Sequence, residues 1–320
     1  MKKPTESLTS ISCIIPAYNE GQNLGRVITE VIEQLAKLTH RFEIIVVNDG
    51  SQDNSLKIVN DLMFEYSQIF LLDLSRNFGK EASLTAGLEH AQGEVIFQMD
   101  ADGQHPAYLL VTMFQKWEKG IDVVYAVRKT RSEQSALYST LVRFFYSLIN
   151  WGSQLEIPRN AGDFRLMDRR VVNAILSLPE RNRFMKGIYA WVGFSSIAIE
   201  YDPPARIHGE SKFGFFKVFN FALIGLVSFS TFPLKLLTGG GLLLSFTAMF
   251  YILWVFFEYF YWGISVPGYA TLLVSIVFFS GIQLLGLGIL SAYIARMYEE
   301  VKHRPIYIIK NKFGEGLKNF

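Results

Sequence analysis

Two carboxylates one residue apart, Asp100 and Asp102, close the apolar run Val95 to Met99 just before the chain breaks at Gly103 and Pro106. In an extended strand residues i and i+2 point to the same side, so both acids converge on one spot at the strand's carboxyl end. Like charges that close repel unless a cation stands between them, so the pair reads as a seat for a positive partner. A solvated Asp-Gly turn is the plainer reading, since such triplets are common in turns. The company the pair keeps decides the matter. Three other strand-like runs end in polar tips: Pro16-Ala-Tyr-Asn-Glu20, Asn48-Asp-Gly-Ser51 and Ser75-Arg-Asn-Phe-Gly-Lys80. Four such tips along one rim favour a ligand site over four unrelated turns.

The elements that position these tips alternate. Ile11 to Ile15, Phe42 to Val47, Ile69 to Asp73 and Val95 to Met99 read as strands, and Asn23 to Lys37, Ser55 to Tyr66 and Lys80 to His90 as helices. This order predicts an α/β domain with a mostly parallel, Rossmann-like sheet and helices on both faces, in which ligands bind at the carboxyl ends of strands. No Gly-x-Gly-x-x-Gly or Walker-type loop occurs, which argues against a dinucleotide or P-loop protein.

Charge divides the 320 residues unevenly. From Val218 to Ala295 the only charged side chains are Lys235 and Glu258, whereas residues 1–217 carry nearly all the rest. The uncharged run Leu236 to Phe257 covers roughly 30 Å as a helix, enough for one membrane span. Tyr259 to Ala295 leaves room for an outer loop and a second span over Tyr269 to Ala295. Lys212, Lys217 and Lys235 precede the first span, and Arg296, Lys302, His303 and Arg304 follow the second, while Glu258 to Gly268 has no Lys or Arg. Both ends are therefore expected in the cytoplasm. Met1 to Ser12 has no apolar stretch before a small-residue cleavage site, so no secretory signal is expected. The single cysteine, Cys13, cannot form an internal disulfide and reads as a buried strand residue. The net charge of +2, without a basic stripe interleaved with aromatics, gives no sign of a nucleic-acid partner.

The expected organisation is a cytoplasmic domain over 1–212, an interfacial helix over 213–233, a two-helix transmembrane hairpin over 234–298 and a cytoplasmic tail over 299–320. The aromatic-rich stretch Phe213-Gly-Phe-Phe-Lys-Val-Phe-Asn-Phe221 suits the headgroup boundary. Gly239-Gly-Gly241 permits close helix packing and hence a homo-oligomer.

The tip sequences, with Gln104-His-Pro106 and Gly162-Asp-Phe-Arg-Leu166, resemble family 2 glycosyltransferases of the GT-A type over residues 11 to about 213. The closer likeness is to the branch holding dolichyl-phosphate mannose synthase and the bacterial bactoprenol glucosyltransferases. That resemblance implies a sugar nucleotide donor, Mg²⁺ or Mn²⁺, a polyprenyl phosphate acceptor at the cytoplasmic membrane and inversion at the anomeric carbon. UDP-glucose is the expected donor, with GDP-mannose and UDP-linked amino sugars as alternatives. A processive polysaccharide synthase is disfavoured by the absence of a Gln-x-x-Arg-Trp motif. A transporter or flippase is disfavoured because two spans almost free of charge make a poor pathway.

The same resemblance assigns roles. Pro16, Ala17, Tyr18, Glu20 and Asp49 are expected around the nucleoside, with Asp49 accepting from a base N–H and Glu20 from ribose hydroxyls. Asp102 is the primary metal ligand, with Asp100 and Ala101 beside the donor, Asp100 as a second metal contact and Gln104 lining the sugar site. Oxygen ligands without Cys or His suit Mg²⁺ or Mn²⁺ rather than zinc. Lys80 is either a phosphate contact or a helix-surface lysine, and Asp163 either contacts the sugar or orients a basic residue. Arg206-Ile-His-Gly-Glu-Ser-Lys212 resembles the family's Arg-x-x-Gly-x-Ser-Lys stretch. Arg206, Ser211 and Lys212 are the expected acceptor-phosphate ligands, with Arg128 and Arg131 as weaker candidates.

Overall fold

A computed structural model describes residues 9–129, 161–202, 232–262 and 268–319. Its contacts divide the chain into two units, one built on a sheet that includes Arg304–Phe320, the other containing two long helices.

The sheet has eight strands: β1 Ile11–Ala17, β2 Phe42–Asn48, β3 Ile69–Leu74, β4 Val95–Gln98, β5 Val123–Arg128, β6 Ala161–Asp168, β7 Ser196–Tyr201 and β8 Ile309–Phe313. Their spatial order is β7-β5-β6-β4-β1-β2-β3-β8. β1 pairs in parallel with both β2 and β4, and β2 with β3; β6 runs antiparallel between β4 and β5, and β7 is parallel to β5. Six strands thus share one direction, and only β6 and β8 oppose it. The expected mostly parallel sheet is present, with the reversal in strand order between β1 and β4, where ligands collect in sheets of this kind.

The helices of this unit are α1 Gly21–Leu35, α2 Ser55–Glu65, α3 Lys80–His90, α4 Leu109–Trp117, α5 Arg169–Ser177 and α6 Met185–Trp191. Covering both faces explains why β1 and β2 read as continuous apolar runs rather than alternating ones. Ile11, Cys13 and Ile15 join the cluster that contains Leu24, Val27 and Ile28 of α1, while Ile14 meets α3 at Gly87. Burial holds the Cys13 thiol far above its ordinary range, so it is neither nucleophile nor ligand. Asp168 ends β6 and caps α5, accepting from the Arg170 amide at 2.9 Å and from the Trp117 indole at 2.9 Å. Such a cap contributes about 1 kcal/mol.

One correction concerns the carboxyl end. The tail expected over 299–320 as a separate segment instead contributes β8, paired antiparallel with β3, and a 3₁₀ turn at Gly316–Asn319. Without β8 the apolar strand β3 would be left as an open edge.

The second unit holds α7 Phe232–Trp262 and α8 Tyr269–Val301. Both outrun the expected spans. Phe278–Val301 is long and apolar enough to cross a membrane, with a mean hydropathy of 1.7, and it starts later than the Tyr269 expected from the sequence. In α7 the apolar helical segment is the shorter Leu236–Tyr251. Leu243, Phe250, Trp254 and Leu284 are each more than half exposed, a concentration of apolar surface that water does not support. The expected interfacial segment, up to residue 231, lies outside the described residues.

Candidate active site at the carboxyl ends of the strands

The polar tips meet around a cavity of about 330 Å³ at the carboxyl ends of β1 to β4. The loop after β1 supplies Pro16, Ala17, Tyr18 and Glu20, and β2 leads to Asp49. From beyond β3 come Asn77, Gly79, Lys80 and Ser83, and from beyond β4 Asp100, Ala101 and Asp102. Nine of the residues chosen from sequence therefore line one space, and Asn77, Gly79 and Ser83 join them. Asn77 and Gly79 sit inside a tip that the sequence singles out, whereas Ser83, one turn into α3, carries no signal of its own.

The loops are fastened to one another. The Asn19 amide donates to Ser51 Oγ at 3.0 Å, and the Gln52 amide returns to Asn19 Oδ1 at 2.8 Å. Asp53 accepts from the Gly21 amide at 2.9 Å. Asp49 is almost fully buried, with its two oxygens accepting from the amides of Phe78, at 2.7 Å, and Gly79, at 2.9 Å. A carboxylate so engaged fixes the Ser75–Gly79 loop, which differs from the base contact expected of it. Gly50 makes this closeness possible: its φ is +68°, and a Cβ there would lie 2.6 Å from the Arg76 carbonyl carbon.

Lys80 settles between two acids. Its Nζ lies 2.6 Å from Asp100 and 2.7 Å from Asp163. Burial would lower the ammonium's pKa, but the two carboxylates reverse this and hold it above its ordinary value. Burial likewise raises Asp163, yet Lys80 and then Lys186 pull it down to about 2. Lys80 is thus a counter-ion inside the site rather than a surface lysine. Asp163, from β6, reaches Lys80 and through it Asp100.

The remaining wall is acidic. Burial raises the Glu20 carboxyl, and Asp102, Asp100 and Asp53 add to the rise. Asp102 Oδ1 accepts from the Gln104 amide at 3.0 Å. Among the described residues no three His, Cys, Asp or Glu side chains stand together as a complete metal site. Asp102 and Asp100 nevertheless fit a hard divalent ion, because both offer oxygen and such an ion takes further oxygens from phosphate and water.

Two further candidates lie together. Gln104, expected to line the sugar site, is buried, and its carbonyl accepts from Arg128 Nη2 at 2.6 Å. Arg128, a weaker acceptor-side candidate, is tied there and at 3.3 Å to the Tyr201 hydroxyl. His105 acts locally: its Nδ1 accepts from the Asp100 amide at 3.1 Å and its ring stacks on Phe164, with centroids 4.9 Å apart. Burial keeps that imidazole below its ordinary pKa. Arg131, Arg206, Ser211 and Lys212 lie outside the described residues.

The model of the family described as Glycosyl transferase family 2 matches residues 12–176, more than half of the chain and every residue lining the cavity. The chain belongs to glycosyl transferase family 2. This transferase is 43% identical over 302 residues to a bactoprenol glucosyl transferase of Shigella phage SfV, covering 94% of this chain and 98% of that one. It is also 43% identical over 304 residues to an uncharacterized glycosyltransferase of Synechocystis, covering 95% and 96%. Among solved structures, a mannosyltransferase from Pyrobaculum calidifontis, in complex with GDP-Man and Mn²⁺, aligns over 94% of this chain and 91% of that one at 17% identity and a TM-score of 0.45.

Proposed function

We propose that this transferase moves one glucosyl unit from UDP-glucose to a polyprenyl phosphate at the cytoplasmic face of the membrane, inverting the anomeric carbon. The observation that carries this reading is the near full-length similarity to a bactoprenol glucosyl transferase, which extends through the hairpin as well as the sheet. In the reaction an anionic oxygen of the lipid phosphate attacks the anomeric carbon as the bond to UDP breaks, and UDP leaves from the opposite face. A phosphate monoester has a second pKa near 6 and brings its own nucleophilic oxygen, so the site needs no general base. Its task is to bring anions together.

Asp102 and Asp100 would hold a divalent ion, which when bound would supply positive charge against the leaving diphosphate. The chain's own residues do the positioning. Pro16, Ala17, Tyr18 and Glu20 border the nucleoside, Lys80 bridges Asp100 and Asp163 and offsets their mutual repulsion, and Arg206, Ser211 and Lys212 clamp the lipid phosphate. The hairpin keeps this site at the bilayer. β8 supports an even number of crossings, because a chain that leaves the sheet after β7 and rejoins it at β8 ends on the side where it began.

The test is incubation of purified protein with polyprenyl phosphate and labelled UDP-glucose, GDP-mannose and UDP-N-acetylglucosamine in turn. A β-linked glucosyl lipid is the expected product. Transfer from another donor would correct the sugar, an α-linkage would correct the mechanism, and glucan chains of several units would place the enzyme among the processive synthases.

A further inference from the structure

Beyond α8 the chain returns to the sheet and pairs up to the start of a loop that lines the cavity. β8 sets Leu71 opposite Phe313, Leu72 opposite Lys312, Asp73 opposite Asn311 and Leu74 opposite Ile309. The ladder then runs one step further, with the Ser75 amide donating to the Ile308 carbonyl at 2.9 Å. Ser75 opens the loop whose Asn77 and Gly79 line the cavity and which delivers Lys80. That loop is therefore fastened at its start by the carboxyl-terminal strand and at its end by Asp49, through the Phe78 and Gly79 amides.

The two fasteners are joined. Asn48 Nδ2 donates to the buried Asp73 at 2.8 Å, and Asn311 of β8 reaches the other oxygen of Asp73 at 3.5 Å. Asn48 also accepts from the Ser51 amide at 3.2 Å, closing the turn that carries Asp49. The far end of the strand is anchored tightly. Gly314 has a φ of +82°, and a Cβ there would lie 2.5 Å from the Ile69 carbonyl oxygen. The Leu317 amide donates to Glu43 at 3.1 Å, and Glu43, fully buried, also accepts from Ser12 Oγ at 2.6 Å. An edge cover alone would need the ladder to β3. This segment continues past β3 onto the first residue of the donor-side loop.

We propose that residues 305–319, which follow the hairpin, are a positioning element of the donor site: β8 sets the Ser75–Gly79 loop and with it Asn77, Gly79 and Lys80. The inference rests on reading the cavity as the sugar-nucleotide site. It makes donor binding depend on a strand that the chain can supply only after it has passed through both long helices.

Two full-length variants test it, Gly314→Val, which has no room for its side chain, and the milder Asn311→Ala; Lys310→Ala on the same strand is the control. Calorimetry with UDP and with GDP, each with Mn²⁺, reads nucleotide binding without the lipid, and amide hydrogen exchange reads the loop. Gly314→Val is expected to weaken nucleotide binding about tenfold and Asn311→Ala about threefold. Exchange should quicken at Phe78 and Gly79 in both, with the KM for polyprenyl phosphate within about twofold of wild type. Lys310→Ala should match wild type. If Gly314→Val does not fold, Asn311→Ala decides alone. Faster exchange across 309–313 with unchanged nucleotide binding and unchanged exchange at 78–79 would reduce β8 to an edge cover and overturn the proposal. Failure of the wild type to bind either nucleotide overturns the reading of the cavity itself, and this inference with it.

Discussion

The wall of the cavity built by β1, β2 and β3 is fastened by backbone amides donating to side-chain oxygens, whereas the wall built by β4 and β6 is fastened by charge. On the first wall Asp49, Asp53, Asn19 and Ser51 hold amides of neighbouring loops at 2.7 to 3.0 Å. On the second, Lys80 lies between Asp100 and Asp163. An amide-to-carboxylate bond keeps its geometry whatever ions arrive. A bridging ammonium is different: a divalent cation or a diphosphate competes for the same partners, so the pairing can redistribute when substrate binds. The nucleoside side is thus prebuilt, and the reacting side is an adjustable cluster of charge.

The sharpest way to break this comparison is to remove charge from the second wall. Asp102→Asn keeps the shape but not the anion, and transfer should fall by about 10³-fold, the scale of losing one preorganised electrostatic contact. Chelation of the wild type should do the same, with Mg²⁺ or Mn²⁺ restoring only the wild type. Full activity of the variant in chelator would sink the metal assignment. Next in size is Lys80→Met, which leaves Asp100 and Asp163 without the ammonium that bridges them. Removing one partner of a desolvated pair costs enough to cut transfer about 30-fold or more. It should also shift Asp163 upward from about 2, because Lys80 is its largest favourable neighbour. Carbon-detected NMR titration of the labelled carboxyls would reveal an unmoved Asp163 if that account is mistaken.

A smaller effect is expected on the first wall. In Asp49→Asn one carboxylate oxygen becomes an NH₂ group, which cannot accept from the Phe78 or Gly79 amide and is left facing a donor. The donor KM should rise about tenfold with kcat changed less than threefold, since the loop is misplaced but the carboxylates of β4 and β6 remain. A collapse of kcat with an unchanged KM would move Asp49 from the nucleotide wall to the chemistry.

Legibility in the sequence follows the same division between local and distant. β1 to β4 and α1 to α3 were readable within a residue or two because each carries its own pattern: a short apolar run, a polar tip, an amphipathic stretch. The DxD pair was readable because spacing along one strand fixes the side it faces. Asp49's partners are not legible, since the donors it accepts from are amides whose positions depend on how a later loop folds back. Gln104 and Arg128, 24 residues apart, gave no sign that they would satisfy each other. β8 was least visible. Ile-Lys-Asn-Lys-Phe is short and charged, and the partner of its Asn311 lies 238 residues earlier.

The smallest expected effect sharpens the comparison at its hinge, Glu81, which follows Lys80 and lies behind the charged wall. Burial first, and then Asp163, raise its carboxyl to about 7, while the Met185 amide, Lys80 and Lys186 hold it from rising further. A carboxyl raised in the folded state binds a proton more readily folded than unfolded, so between its ordinary value near 4.5 and about 7 stability must fall as pH rises. His105 works the other way: its pKa is lowered by burial, so its contribution is present above its ordinary value near 6.5 and is lost as pH falls. The raw pH profile mixes the two, and the comparison with Glu81→Gln separates them, because His105 is common to both proteins. The wild-type melting temperature, measured from pH 5 to pH 8, should drop relative to that of Glu81→Gln by about 4 °C. Parallel profiles would mean that Glu81 is already ionised at pH 5, and the charged wall would then hold a further carboxylate rather than a neutral acid at its back.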